Sequence, residues 1–113
     1  MTGSDEKMMA AVQARQPFVY NSREVRPEGN KVHVSLHGKP CACIDFGRGL
    51  VTVHGESLNS RKSAKVFNAV LRTYTESYAQ SRDGRWEIVV PVGMEVEFTG
   101  DKVSIPILRA ASP

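Results

Sequence analysis

Three cations and two serines lie close together at the start of the longest amphipathic segment of the chain. The residues are Ser60, Arg61, Lys62, Ser63 and Lys65, and Arg72 follows about two turns later on the predicted helix. A helix N-terminus exposes unpaired N–H groups and carries partial positive charge, so it attracts phosphate. The same dipole opposes cations in the first turn, where Asp and Glu are usual. This departure from local preference predicts contact with nucleic-acid phosphates.

A solvent-exposed helix face, with Glu56 as an ionic partner, is the alternative explanation of these cations. Tyr74 and Tyr78 fall on the apolar stripe of the predicted helix, which leaves little aromatic surface for stacking on bases. The pattern therefore favours the backbone of a duplex over a single strand. Because three or four phosphate contacts give only modest affinity, we expect a homodimer that doubles the surface.

A second group of candidate ligands lies on three short predicted strands. If Arg48-Gly49 is a two-residue turn, His37 lies opposite Cys41, and Cys43 opposite His54, on one face. Imidazole and thiolate are good zinc ligands. Their spacing matches no standard zinc motif, so a histidine-rich contact surface is favoured over a zinc site at these four residues. No cofactor is expected.

The sequence does not predict an enzyme. A nucleophilic Cys43 with His37 or His54 lacks an oxyanion hole and an orienting group beyond Asp45. No phosphate-binding loop of the G-x-x-x-x-G-K-[ST] type is present, and Gly47-Arg48-Gly49 is better explained as a hairpin turn. The candidate site is therefore a binding site.

Charge is distributed unevenly along the chain. The net charge of 113 residues is +3, but residues 59–82 hold five cations and one anion, whereas residues 83–113 hold three cations and five anions. The two cysteines are one residue apart, a poor geometry for a mutual disulfide. Residues 1–15 lack the apolar core of a signal peptide, and no run is long enough to span a membrane. These features predict a cytoplasmic protein without a membrane partner.

Hydrophobic periodicity predicts an α+β fold with an antiparallel sheet. Residues 31–37, 41–46 and 50–54 alternate as the strands of a β-meander. Residues 60–80 are predicted to form the one long helix, with Asn59 as N-cap and Ser57 or Ser60 as alternatives. Its apolar stripe, which packs on one face of the sheet, comprises Phe67, Val70, Leu71, Tyr74 and Tyr78.

The ends of the chain are predicted from shorter patterns. Residues 1–16 are expected to be a flexible or short helical arm capped by Ser4 or Asp5, and residues 17–113 a single domain. Residues 18–20 are a predicted edge strand, and residues 21–30 a polar loop. Residues 85–90, 94–98 and 102–108 are predicted strands of a C-terminal hairpin or meander, and Pro106 assigns the last of them to an edge.

The segment from Ser60-Arg61-Lys62 through Asn68-Ala69-Val70-Leu71 resembles a pattern in small uncharacterised proteins of phages and mobile elements. In that pattern a serine- or threonine-led basic turn precedes Asn and Leu on a helix that follows a β-meander. The resemblance implies an accessory protein and assigns no catalytic residue. The basic helix start predicts a nucleic-acid-binding accessory protein. The alternative, based on the uneven charge and the His/Cys face, is a protein-binding module that inhibits or modulates a host or defence enzyme, as anti-CRISPR-like proteins do.

Overall fold

The computed structural model describes residues 3–108, which contain two helices, nine strands and a short 3₁₀ turn. The helices are α1 (Ser4–Ala14) and α2 (Arg61–Tyr74), and the 3₁₀ turn is Gly55–Ser57. The strands are β1 (Phe18–Tyr20), β2 (Arg23–Glu28), β3 (Lys31–Leu36), β4 (Lys39–Asp45), β5 (Leu50–His54), β6 (Tyr78–Arg82), β7 (Arg85–Val89), β8 (Glu97–Thr99) and β9 (Lys102–Pro106).

Seven strands form one antiparallel sheet in the order β1-β2-β3-β4-β5-β9-β8, and β6 pairs with β7 in a separate hairpin. α1 packs on β1 and β2, and α2 packs beside it on β4, β5 and β6. The predicted α+β class with a mainly antiparallel sheet is confirmed. In residues 3–108 two helices pack on the sheets: α1, in the arm expected to be flexible or helical, and the longer α2.

The core lies between the helices and one face of the sheet. Val32, Val34, Ile44, Val51 and Val53 are fully buried there. The residues that alternate with them on β3, β4 and β5 are mostly half-exposed on the opposite face. This period of two is the signal from which the meander was predicted, and the meander is present.

Two features of β4 differ from the prediction. A β-bulge shifts the register between Val34 and Ser35, so Cys41 turns into the core and is only 1% exposed. At the other end Asp45 pairs with Leu50, which closes a four-residue loop and not an Arg48-Gly49 turn. Cys43 therefore pairs with Thr52, and the predicted pairing of Cys43 with His54 is wrong.

The long helix is also shorter than predicted. α2 ends at Tyr74, and Tyr78, predicted on its apolar stripe, begins β6. Asp83 and Gly84, predicted to end the helix, both have positive φ and form the tip of the β6–β7 hairpin. An Asp-Gly pair with positive φ at both positions is a preferred two-residue hairpin turn. The other residues of the predicted apolar stripe are buried as expected: Phe67, Val70, Leu71 and Tyr74.

The predicted loop over residues 21–30 contains β2, which pairs with β3 along its whole length. Val25 is buried in the core, and Arg23 is buried through an ion pair with Asp5 of α1 at 2.6 Å. α1 itself buries Met8 and Val12 in the same core. Gly3, and neither Ser4 nor Asp5, occupies the N-cap position of α1.

β9 is not an edge strand as predicted, because it lies between β5 and β8. β8 pairs only with Lys102 to Ser104. The Ile107 N–H donates to the Gly49 carbonyl, on the β5 side of the strand. Because successive backbone nitrogens point to opposite sides, the Pro106 nitrogen points away from β5, at a position where β8 no longer pairs with β9. Proline is therefore tolerated without the loss of a ladder hydrogen bond.

Candidate nucleic-acid interface

The start of α2 is organised by two serine hydroxyls. Ser60, and not Asn59, is the N-cap: its Oγ accepts from the Ser63 N–H at 3.2 Å, and the Ser63 Oγ accepts from the Ser60 N–H at 3.0 Å. This is a capping box with serine in the place usual for Glu or Gln. The Ser63 hydroxyl also accepts from the Asn59 N–H and donates to the Ser60 carbonyl. Ser63 is buried, so it stabilises the helix start and does not face an external phosphate.

Three of the predicted cations lie along one side of α2. At about 100° and 1.5 Å per residue, Arg61, Lys65 and Arg72 fall within about 40° of one another over a length of about 16 Å. All three residues are exposed, and we call this line of side chains the basic ridge. Lys62 lies about 100° from Arg61 around the helix and is half-buried.

The charges of the ridge are only partly engaged by neighbours. Among residues 3–108, no ion pair involves Arg61, Lys62 or Lys65. The Arg72 guanidinium lies over the Tyr78 ring at 5.7 Å, a cation–π contact that attaches this end of the ridge to β6. The Glu56 partner considered from the sequence has no ion pair with the ridge.

An acidic wall borders one flank of the ridge. A cleft of about 470 Å³ separates α1 from α2, and Asp5 and Glu6 face Lys65 and Arg72 across it. Asp5 is paired with Arg23, whereas Glu6 is exposed. Since a carboxylate repels phosphate, this wall makes the cleft side of the ridge less favourable for an anion than the side of the β6–β7 hairpin.

The hairpin is held beside the ridge by Asn68. Its Nδ2 donates to the Ala79 carbonyl at 3.1 Å, and its Oδ1 accepts from the Ala79 N–H at 2.6 Å. At the tip of the same hairpin Arg82 pairs with Arg85, and both are exposed. The predicted site omitted these two cations, although the Asp-Gly turn signal that pairs them is present in the sequence.

The structure does not bring together the four residues considered as a zinc site, for which the sequence favoured a histidine-rich contact surface. His37 lies in the β3–β4 turn with positive φ, Cys41 points into the core, and His54 pairs with Lys102 on the uncovered face. Within the described chain, no three His, Cys, Asp or Glu side chains are placed to hold a metal ion. Burial raises the pKa of the Cys41 and Cys43 thiols, which disfavours the thiolate that zinc binding or nucleophilic attack requires.

An apolar notch of about 200 Å³ lies at the other end of the core. Phe98, on the three-residue strand β8, is 71% exposed beside this notch. We define the notch by its apolar lining, which comprises Leu58, Trp86, Ile88, Val90, Phe98 and Val103. It separates β7 from β8 and gives the chain a second surface that the sequence did not predict.

The fold and these surfaces define a small α+β protein with a one-sided basic helix. No helix in the range 3–108 has the length and apolar character needed to cross a membrane. No protein-family model, curated protein or solved structure matches the chain.

Proposed function

We propose that this chain is a non-enzymatic nucleic-acid-binding accessory protein that contacts duplex phosphates through the basic ridge. The observation that carries the proposal is the alignment of Arg61 and Lys65 on the exposed side of α2, where neither forms an ion pair within residues 3–108. Arg72 extends the line, Lys62 lies on its flank, and Ser60 holds the helix start from which the ridge projects.

The shape of the ridge suits a phosphate backbone better than bases. Its length of about 16 Å corresponds to about five nucleotides of one strand at 3.4 Å each. Tyr74 is buried and Tyr78 is occupied by the Arg72 guanidinium, so neither ring offers a stacking platform. Binding through such a surface is electrostatic and largely independent of sequence.

The test is the salt dependence of binding to a labelled duplex, measured by fluorescence anisotropy. Three phosphate contacts give a slope of about −2.7 in log K against log salt, so affinity falls about 40-fold between 50 and 200 mM salt. The variant Arg61→Ala/Lys62→Ala/Lys65→Ala is expected to lose most of this affinity and to flatten the slope.

A matched control removes the same charge from the opposite face of the sheet. Arg26, Lys31 and Lys102 are exposed there, and their replacement by alanine leaves the same net charge as the ridge variant. The control variant is expected to bind as the wild type does. Equal losses in the two variants, or no duplex binding by the wild type at 50 mM salt, would refute the proposal.

A protein-binding module that modulates a host or defence enzyme is the second candidate function. The apolar notch and the exposed Phe98 support it, because such patches are typical of protein contact sites. The assay is capture of partners from host lysate with and without nuclease. A stoichiometric protein that persists after nuclease treatment and is lost with Phe98→Asp supports this function, and recovery of proteins only without nuclease contradicts it.

Encoding by a phage or mobile element stays a prediction, as does the cytoplasmic location.

A further inference from the structure

β8 presents an open edge of the main sheet. Its other side is paired with β9, and it is the last strand in the sheet order. The turn at Gly100-Asp101 has two residues, so Thr99 and Lys102 form the hydrogen-bonded pair that closes it. By alternation Glu97 bonds to Ser104, and Phe98 directs its N–H and C=O away from β9. Phe98 is therefore the residue of β8 whose backbone groups point outward.

The side chain of Phe98 lies on the same face of the sheet as the apolar notch. Phe98 pairs with Val103, whose neighbour across the sheet is Val53 of the core. Trp86 and Ile88 form the opposite wall of the notch. A second aromatic ring placed beside Phe98 on this face would cover the mouth of the notch.

A second β8 strand matches this edge in one antiparallel register. When two copies pair about a two-fold axis at Phe98, each Phe98 N–H donates to the Phe98 carbonyl of the other copy. Glu97 then faces Thr99 of the other copy. A register centred on Glu97 would juxtapose two carboxylates and would pair Phe98 with Val96 of the other copy, which lies outside β8. Charge, the extent of the strand and the apolar surface therefore favour the register centred on Phe98.

We propose that two copies of this chain form a two-fold dimer through the edges of β8, in the register centred on Phe98, with Phe98 of each copy closing the apolar notch of the other. The inference is independent of phosphate binding by the ridge. It identifies the interface of the expected homodimer and leaves the ridge, on α2, outside the contact.

The opposite edge of the sheet is less suited to the same contact. α1 packs against β1, and the Lys7 ammonium lies over the Tyr20 ring at 5.0 Å. The side chain of Val19, 77% exposed, belongs to the face of the sheet that the helices do not cover. Val19 is thus an exposed apolar residue on an edge strand that does not adjoin the notch, and it provides a matched control.

The first experiment is sedimentation velocity in 0.5 M NaCl, where electrostatic contacts of the ridge with residual nucleic acid are screened. The wild type is expected to be dimeric, Phe98→Asp to weaken the dimer by about 30-fold or more, and Val19→Asp to leave it unchanged. Circular dichroism checks that both variants are folded. A wild type that is still monomeric at about 100 μM overturns the proposal, and so does equal dissociation of both variants.

The second experiment tests the register by oxidation in a Cys43→Ser background. Hydrogen-bonded antiparallel partners have Cα atoms about 5.5 Å apart, within the range of a disulfide. Phe98→Cys is therefore expected to form a covalent dimer under mild oxidation. Thr99→Cys is not, because the two copies of residue 99 are displaced along the strands by two residues, about 7 Å. Cross-linking at residue 99 but not at residue 98 contradicts the register.

Discussion

The side chain of Asn68 makes the hydrogen bonds that a neighbouring strand would otherwise make at the outer edge of β6. Its side-chain amide makes two hydrogen bonds with Ala79, to the carbonyl at 3.1 Å and from the N–H at 2.6 Å. Ala79 is 5% exposed, so water does not readily take over when the amide is removed. Asn68→Ala is therefore expected to destabilise the attachment of the β6–β7 hairpin to α2.

The magnitude follows from the two backbone groups that lose their partners. Each buried unsatisfied group costs about 1–3 kcal/mol, and the higher helix propensity of alanine offsets about 0.5 kcal/mol. We expect a loss of about 1.5–5.5 kcal/mol from a total free energy of unfolding of about 6–17 kcal/mol for a chain of this length. The corresponding fall in melting temperature is about 6–22 °C.

Trp86 makes the hairpin directly observable, because it is the one tryptophan of the chain and lies on β7. In urea titrations of Asn68→Ala, the Trp86 fluorescence transition is expected to move to lower urea by at least as much as the far-UV circular dichroism transition. Asn59→Ala, at an exposed position outside the helix, is expected to change stability by less than about 0.5 kcal/mol. A similarly small change for Asn68→Ala would refute the strand-replacement argument.

Two further predictions concern the helix start and the thiols. Ser60→Asp keeps a good N-cap and adds a favourable charge to the helix dipole, so the melting temperature is expected to be unchanged or higher while duplex affinity falls. In the native protein Ellman's reagent is expected to titrate half-exposed Cys43 and to reach buried Cys41 only after unfolding. Because burial raises the pKa of Cys43 above its ordinary value of 9.0, its rate should still increase beyond pH 9.

The parts of the fold that follow from local alternation were predictable from the sequence. Val32, Val34, Val51 and Val53 recur with a period of two, and all four are buried. The apolar positions of α2 recur with the helical period, although extending them to Tyr78 gave a helix that was too long. Such patterns report which face of an element is buried and do not report where the element ends.

The candidate zinc set shows why register was not predictable. Inserting one residue into β4 at the bulge reverses the direction of Cys41 while leaving Ile44 in the core. Pro40 lies beside the bulge and is compatible with it, but proline is equally at home in a turn or at the start of a strand, so it did not specify the bulge from the sequence. The face predicted for Cys41 was consequently wrong, whereas Cys43 and His54 lie on the face away from the core as predicted.

The alignment of cations along α2 was predictable from the sequence, but their surroundings were not. Helical spacing alone aligns Arg61 with Lys65. The position of the acidic wall that includes Glu6 depends on where α1 packs. The position of Arg82 and Arg85 depends on the hydrogen bonds by which Asn68 holds the β6–β7 hairpin. These are contacts between residues distant in sequence, which no pattern within one element encodes.

The cations at the start of α2 conflict with the helix dipole, and the capping box explains how the helix accommodates them. A box closed by Glu or Gln is usual, and a Glu at residue 63 would place a carboxylate beside Arg61 and Lys62. The Ser63 hydroxyl satisfies the same N–H groups without adding negative charge. The helix start is thus stabilised by neutral hydrogen bonds, which leaves its positive charge undiminished. A start stabilised in this way retains its attraction for an anion, and that is the property that phosphate binding by the ridge requires.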